Sequence, residues 1–148
     1  YTEESVAKFN QALKAAKEVA DAMCPGDHGT TYGGNPLATA AVCEVFEIFE
    51  KDGILNHVNE IAPYLKDKLN VLKDKFPDKI KDVRGKGLMM GMELYGPAGD
   101  VVSKLLKKGV ILISAGTNII RFVPPLVVEK EHIDVMCEKL EEVFSTNE

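Results

Sequence analysis

Two threonines stand side by side in a glycine-rich stretch. Residues 25–41 read PGDHGTTYGGNPLATAA, with Thr30-Thr31 placed between Gly29 and Gly33-Gly34. Glycines let the backbone approach an anion closely, and hydroxyls donate hydrogen bonds to its oxygens. Asn35-Pro36 then starts a helix whose positive dipole end lies nearby. Thr30 and Thr31 are therefore candidates for holding a phosphate. No Gly-Lys-Ser/Thr follows, so this is not a Walker loop, and a tight surface loop before a helix is the plainer reading of the same residues. The second candidate is Arg121, in the apolar run Ile119-Ile120-Arg121-Phe122-Val123. A buried guanidinium must be paired, and its planar fork suits a carboxylate. An outward-facing strand arginine fits the pattern as well. Arg84, in Val83-Arg84-Gly85-Lys86-Gly87, is a third candidate: the two glycines suggest a tight turn between strands or a close backbone approach, and a solvated turn arginine is the plainer reading. His28 is expected to be a hydrogen-bonded loop residue, and His57 and His132 to lie on polar helical surface without a special role.

The elements that must position these residues follow from the apolar spacing. Val6, Phe9, Leu13, Ala16, Ala20 and Met23 predict an N-terminal helix. A second helix starts at Pro36 and is expected to bury Leu37, Ala41, Val45 and Ile48; Asp52-Gly53 ends it. A third carries Val58, Ile61, Leu65, Leu69, Leu72 and Phe76, with Pro63 expected to kink it and Pro77 closing it. Leu88, Met90, Met92 and Leu94 alternate with Met89, Gly91 and Glu93, which predicts a strand, and KIKDVRG ahead of it predicts its partner. A short helix with Val101, Val102, Leu105 and Leu106 ends at Gly109. VILIS and NIIRFVP predict two more strands joined at Ala115-Gly116-Thr117. A last helix carries Ile133, Met136, Leu140, Val143 and Phe144. Short turns imply antiparallel pairing. The expected fold class is α/β of the α+β type, a small antiparallel sheet packed with helices and preceded by long helices. Cys43 and Cys137 read as core or near-core positions.

The whole chain has 148 residues, 45% hydrophobic and 28% charged, with a net charge of -5. That suits a globular protein and argues against a phosphate-backbone partner; no nucleic acid is expected. No run approaches the roughly 20 apolar residues that span a bilayer, so no membrane association is expected. Three cysteines without CxxC spacing suit a reducing, cytoplasmic setting. The scattered histidines give no metal site.

Three stretches, PGDHGTTYGGNPLATAA, VRGKGLMMGMEL and NIIRFVPPLVV, stand in the order and spacing of one family. They resemble the C-terminal part of the class III pyridoxal-phosphate aminotransferases. The resemblance is strong from Pro25 onward and weaker from about Lys17; residues up to about Lys14 are not covered. It implies the small C-terminal domain of a fold type I pyridoxal-phosphate enzyme. Residues 36–148 would form a linking helix and that domain, and residues 1–35 a remnant of the large-domain region. By the resemblance, Thr31, with Thr30 as its neighbour, would reach the cofactor phosphate of the other subunit in a homodimer. Arg121 would bind the substrate's α-carboxylate. The implied reaction moves an amino group from N-acetylornithine, or an ornithine-like donor, to 2-oxoglutarate in arginine biosynthesis. The family's Schiff-base lysine, the aspartate at the pyridine nitrogen and the glycine–threonine phosphate loop in cis have no counterpart here. No catalytic residue or metal ligand is therefore assigned. The chain is expected to be a C-terminal piece that is inactive alone and does not bind pyridoxal phosphate specifically. A non-catalytic dimerisation or partner-binding module and a simple phosphate-binding domain are the alternatives.

Overall fold

A computed structural model describes residues 17, 18, 21, 22, 24, 29–31 and 33–146. The chain divides into two compact units, Tyr1–Val45 and Phe46–Glu148. In the first, Lys17, Glu18 and Asp21 are helical; the apolar stripe expected from Val6 to Met23, and His28, lie outside the described residues. Helix α1 (Pro36–Lys51) starts where the sequence predicts. The Asn35 side-chain oxygen accepts the Ala38 N–H at 3.0 Å, which satisfies one of the free donors of the first turn.

The expected burial of α1 is overturned. Leu37, Ala41, Val45 and Ile48 are all exposed, Leu37 at 82%. Cys43, expected in or near a core, is exposed too. The reason is compositional. Apolar residues cover nearly the whole circumference of the first turns, and such a helix belongs inside a larger body. The apolar spacing reports what the helix is made to pack against, and no residue of α1 is buried by the described part of this chain.

The second unit is a two-layer sandwich. Helix α2 (Ile54–Lys75) follows Gly53, whose φ of 63° turns the chain between the two helices. Ile61, Leu65, Leu69 and Leu72 form its buried stripe. The helix continues through Pro63. Pro63 is exposed, so the carbonyl its ring leaves unbonded can be hydrated. Strands β1 (Ile80–Lys86) and β2 (Met89–Leu94) form a hairpin through Gly87-Leu88. Helix α3 (Ala98–Lys107) leads to β3 (Ile113–Ala115) and β4 (Ile119–Phe122), a second hairpin. Helix α4 (Lys130–Ser145) completes the unit. The sheet order is β1-β2-β4-β3, antiparallel at every pair.

β3 starts at Ile113, later than VILIS predicts, and Val110 is used instead by the end of α3. The N–H of Val110 donates to Leu105 O and that of Gly109 to Leu106 O, with Gly109 at φ 82°. This is the two-bond closure by which a helix ends on a left-handed glycine. The core lies between one sheet face and the three helices. Met90, Met92, Leu94, Ile120 and Phe122 meet Leu65, Leu69, Leu105, Ile133, Leu140 and Phe144 there. Cys137 is buried among them, as expected, and burial pushes its thiol up to about 11.

Gly85 and Gly87 both have positive φ, 154° and 57°. A Cβ at Gly85 would also lie 2.2 Å from Met89 O, whereas one at Gly87 would meet only Val58 at 3.8 Å. Gly85→Ala is therefore expected to cost about 2 kcal/mol or more, and Gly87→Ala about 1 kcal/mol. Equal losses in urea denaturation would show that the hairpin yields at Gly85. A second expectation concerns acid. Hydrogen bonds from Lys108, at 2.7 Å, and from Lys139 hold the Glu142 carboxyl down to about 2, against 4.5 normally. A depressed carboxylate stabilises the fold above its unfolded pKa, and the benefit disappears as pH falls toward the folded value. Glu142→Gln should therefore melt below the wild type at about pH 6 and match it near pH 2. The gap is small because the group is exposed. A gap that is constant across that range would rule out ionisation as its source.

Candidate functional site

The sheet face opposite the helices carries the charged residues. Gly91 of β2 pairs with Arg84 of β1 on one side and with Arg121 of β4 on the other. Directly paired residues project from the same face, so Arg84, Gly91 and Arg121 form one row across three strands. The neighbouring rows on this face are Lys86–Met89 and Asp82–Glu93–Ile119. Met89, Arg84 and Arg121 are exposed. The face lines a shallow cavity of about 400 Å³ bounded by Arg84, Lys86, Met89, Gly91, Ile119 and Arg121.

The two arginines of the row have different commitments. Arg84 lies within β1, as the strand predicted over KIKDVRG has it, and not in the turn; its side chain is exposed. Its Nη1 donates to Glu93 Oε2 at 2.6 Å and to Asp82 Oδ2 at 3.2 Å. Lys81 donates to the other oxygen of Glu93 at 2.7 Å, and Lys73 of α2 to Asp82 at 3.1 Å. The hydrogen bonds from Lys81 and Arg84 hold the Glu93 carboxyl below its usual range, and those from Lys73 and Arg84 do the same for Asp82. The carboxylates in turn push the Arg84 guanidinium up, Glu93 first. The Arg121 side chain makes no hydrogen bond or ion pair within the described residues. The Arg121 guanidinium is exposed with its donors open, on a face whose carboxylates Asp82 and Glu93 are already engaged. Arg121 also borders a second cavity of about 510 Å³, between the β3–β4 edge and α4. Its lining is otherwise apolar apart from His132.

Thr30 and Thr31 are exposed and belong to the first unit, whereas Arg121 belongs to the second. A Cβ at Gly33 would lie 2.3 Å from the Thr30 hydroxyl oxygen. Gly33 therefore leaves the room that this hydroxyl occupies. Two histidines that the sequence left without a role have one. His57 Nε2 hydrogen-bonds Val128 O at 2.9 Å, tying α2 to the segment that leaves β4. His132 Nδ1 accepts the Glu129 N–H, and the Glu129 side chain accepts the His132 backbone N–H. Together they make a capping box at the start of α4. The Glu129–His132 spacing was open to reading from the sequence. The His57 contact spans 71 residues, and no local pattern marks it.

The family model of class III aminotransferases matches residues 9–144, which reaches further toward the N-terminus than the motifs alone. The chain is similar to the acetylornithine aminotransferase of Methanocaldococcus jannaschii, 44% identical over 134 residues, covering 90% of this chain and 33% of the relative. It is also similar to that of Clostridium acetobutylicum, 45% identical over 124 residues, covering 83% and 32%. Among solved structures, the lysine aminotransferase of M. tuberculosis in the internal aldimine form superposes with a TM-score of 0.74 at 30% identity, covering 86% of this chain and 30% of that one. The acetylornithine aminotransferase of Elizabethkingia anophelis superposes at 0.73 and 28%, covering 84% and 32%. The chain thus spans about a third of the length of the curated relatives it matches. The matched residues take in the threonine loop, the Arg84–Gly91 hairpin and the Arg121 strand alike, and the chain belongs to the class III aminotransferases.

Proposed function

We propose that this chain provides the substrate-carboxylate site of a pyridoxal-phosphate-dependent transaminase, with Arg121 as the ligand. The observation that carries the reading is the contrast within one row. Arg84 is held by Glu93 and Asp82, while Arg121 is exposed and unpaired within the described residues. The 2-oxo acid and the amino acid of a transamination both carry an α-carboxylate, so one guanidinium serves both halves of the reaction. N-Acetylornithine as donor and 2-oxoglutarate as acceptor, in arginine biosynthesis, are the substrates we favour. The names of relatives at 43–45% identity support the donor. Three cysteines without CxxC spacing are in keeping with a cytoplasmic setting.

The cofactor, when bound, supplies the electron sink of the reaction. Thr30 and Thr31, both exposed, fit as hydroxyl donors to its phosphate, and we assign that contact to the site of a partner subunit. The remainder of the group is not matched. An amine that holds its carbonyl carbon is activated by desolvation or by a nearby cation. No polar or charged side chain is buried among the described residues, and Lys17 is exposed. Lys8 and Lys14 lie outside the described residues. No cofactor step is assigned to this chain, and by itself it should not turn over acetylornithine.

A homodimer belongs to the same reading, because α1 leaves Leu37 and Phe46 exposed at 82% and 65%. Concentration-dependent self-association in sedimentation is expected, and Leu37→Asp should weaken it. A monomer at all concentrations would remove this part of the proposal. For the site itself, Arg121→Ala in a full-length enzyme carrying this region should raise KM for both amino donor and 2-oxoglutarate by roughly 10- to 100-fold, the equivalent of a hydrogen bond to a charged group. Arg121→Lys should recover only part, since an ammonium cannot make the planar fork. Unchanged KM for both substrates would sink the carboxylate role.

A further inference from the structure

Gly91 stands apart from the glycines that the fold requires. Its φ lies outside the left-handed region, where Gly85 and Gly87 fall. A Cβ built on it would meet Ile119 Cγ2 at 3.4 Å and Arg84 O at 3.7 Å, which are ordinary contacts. The backbone therefore accepts alanine at this position. Glycine in a strand interior is weaker than alanine on entropic grounds and leaves nothing to pack, and it commonly marks close approach by a ligand or another backbone. Here the missing side chain is on the open face, between two arginines, in the floor of the 400 Å³ cavity. Arg84 is drawn toward Asp82 and Glu93 on the neighbouring row. The space over Gly91 is thus walled by Arg121 and Ile119.

We infer that Gly91 is a specificity-determining residue: its bare Cα is the floor over which the carbon chain of a carboxylate ligand lies while Arg121 holds the carboxylate. The inference rests on Arg121 as the carboxylate ligand and adds a steric rule to it. The ligand class is an unbranched carboxylate of several carbons, since only a chain longer than the carboxylate itself needs the floor. Met89 at one margin and Ile119 at the other give that chain apolar walls.

The test uses the chain as it stands, with 2-oxoglutarate and acetate as probes. Binding is followed by the NMR shifts of the Arg121 guanidinium N–H and the β4 amides, and the fold by thermal melting. Gly91→Ala should melt within a few degrees of the wild type and bind 2-oxoglutarate several-fold more weakly. Gly91→Val should weaken it about tenfold or more, since an added branched side chain fills the floor. Acetate, too short to reach the floor, should bind the wild type and both variants alike. If a folded Gly91→Ala or Gly91→Val variant binds 2-oxoglutarate as the wild type does, or loses both probes equally, the floor role is overturned and the Arg121 role stands. If 2-oxoglutarate moves no Arg121 resonance in the wild type, or does so equally after Arg121→Ala, both readings fall together.

Discussion

A pleated strand sends successive side chains to opposite faces, and β2 is the strand on which that rule decides the most. It is paired on both edges, by β1 and by β4. Its even-numbered residues Met90, Met92 and Leu94 enter the core, and its odd-numbered residues Met89, Gly91 and Glu93 face outward. A slip of one residue would exchange the sets, burying Glu93 and exposing three core side chains. The cost of such an exchange fixes the register. The register in turn sets Gly91 between Arg84 and Arg121, so core packing on one face places chemistry on the other.

The charges of the open face are distributed unevenly. Lys73, Lys81 and Arg84 share two carboxylates, Asp82 and Glu93. Each of these bridges is at least partly exposed and adds little to stability alone. Their effect is to satisfy the negative charge of the face locally. Asp82 and Glu93 have partners on one side of β2, while Arg121 on the other side has no competing internal anion within the described residues. An arginine that had to leave an internal ion pair before meeting a ligand would lose affinity by the strength of that pair.

Much of this arrangement was legible in the sequence because its determinants are local. Alternation in GLMMGMEL gave β2 and its inward methionines, and the spacing of Ile61, Leu65, Leu69 and Leu72 gave the buried stripe of α2. The later start of β3 was missed: Val110 reads as a strand residue, while its N–H is consumed by the end of α3. The exposure of α1 was missed for a different reason. Apolar periodicity records the existence of a buried face, and the helix carries that record even where the described chain does not cover it. Arg84 had two readings, strand within KIKDVRG and turn before Gly85 and Gly87, and the strand is the one that holds. In the structure Gly85 is a strand glycine forced by the approach of Met89 O, and only Gly87 turns the hairpin. That Arg84, Gly91 and Arg121 share a row was not legible at all. It requires knowing that β4, and not β3, lies beside β2.

The order β1-β2-β4-β3 makes the sheet two hairpins, each closed by a short turn, joined along one seam between β2 and β4. Arg84 and Gly91 come from one hairpin and Arg121 from the other. The row exists only while the seam is closed. Local opening at β2–β4 would therefore separate Arg121 from Arg84 and Gly91. By the same linkage, an anion that contacts both sides of the seam favours the closed form by its own binding free energy. A carboxylate held as proposed at Arg121 would thus join ligand occupancy to the cohesion of the two hairpins.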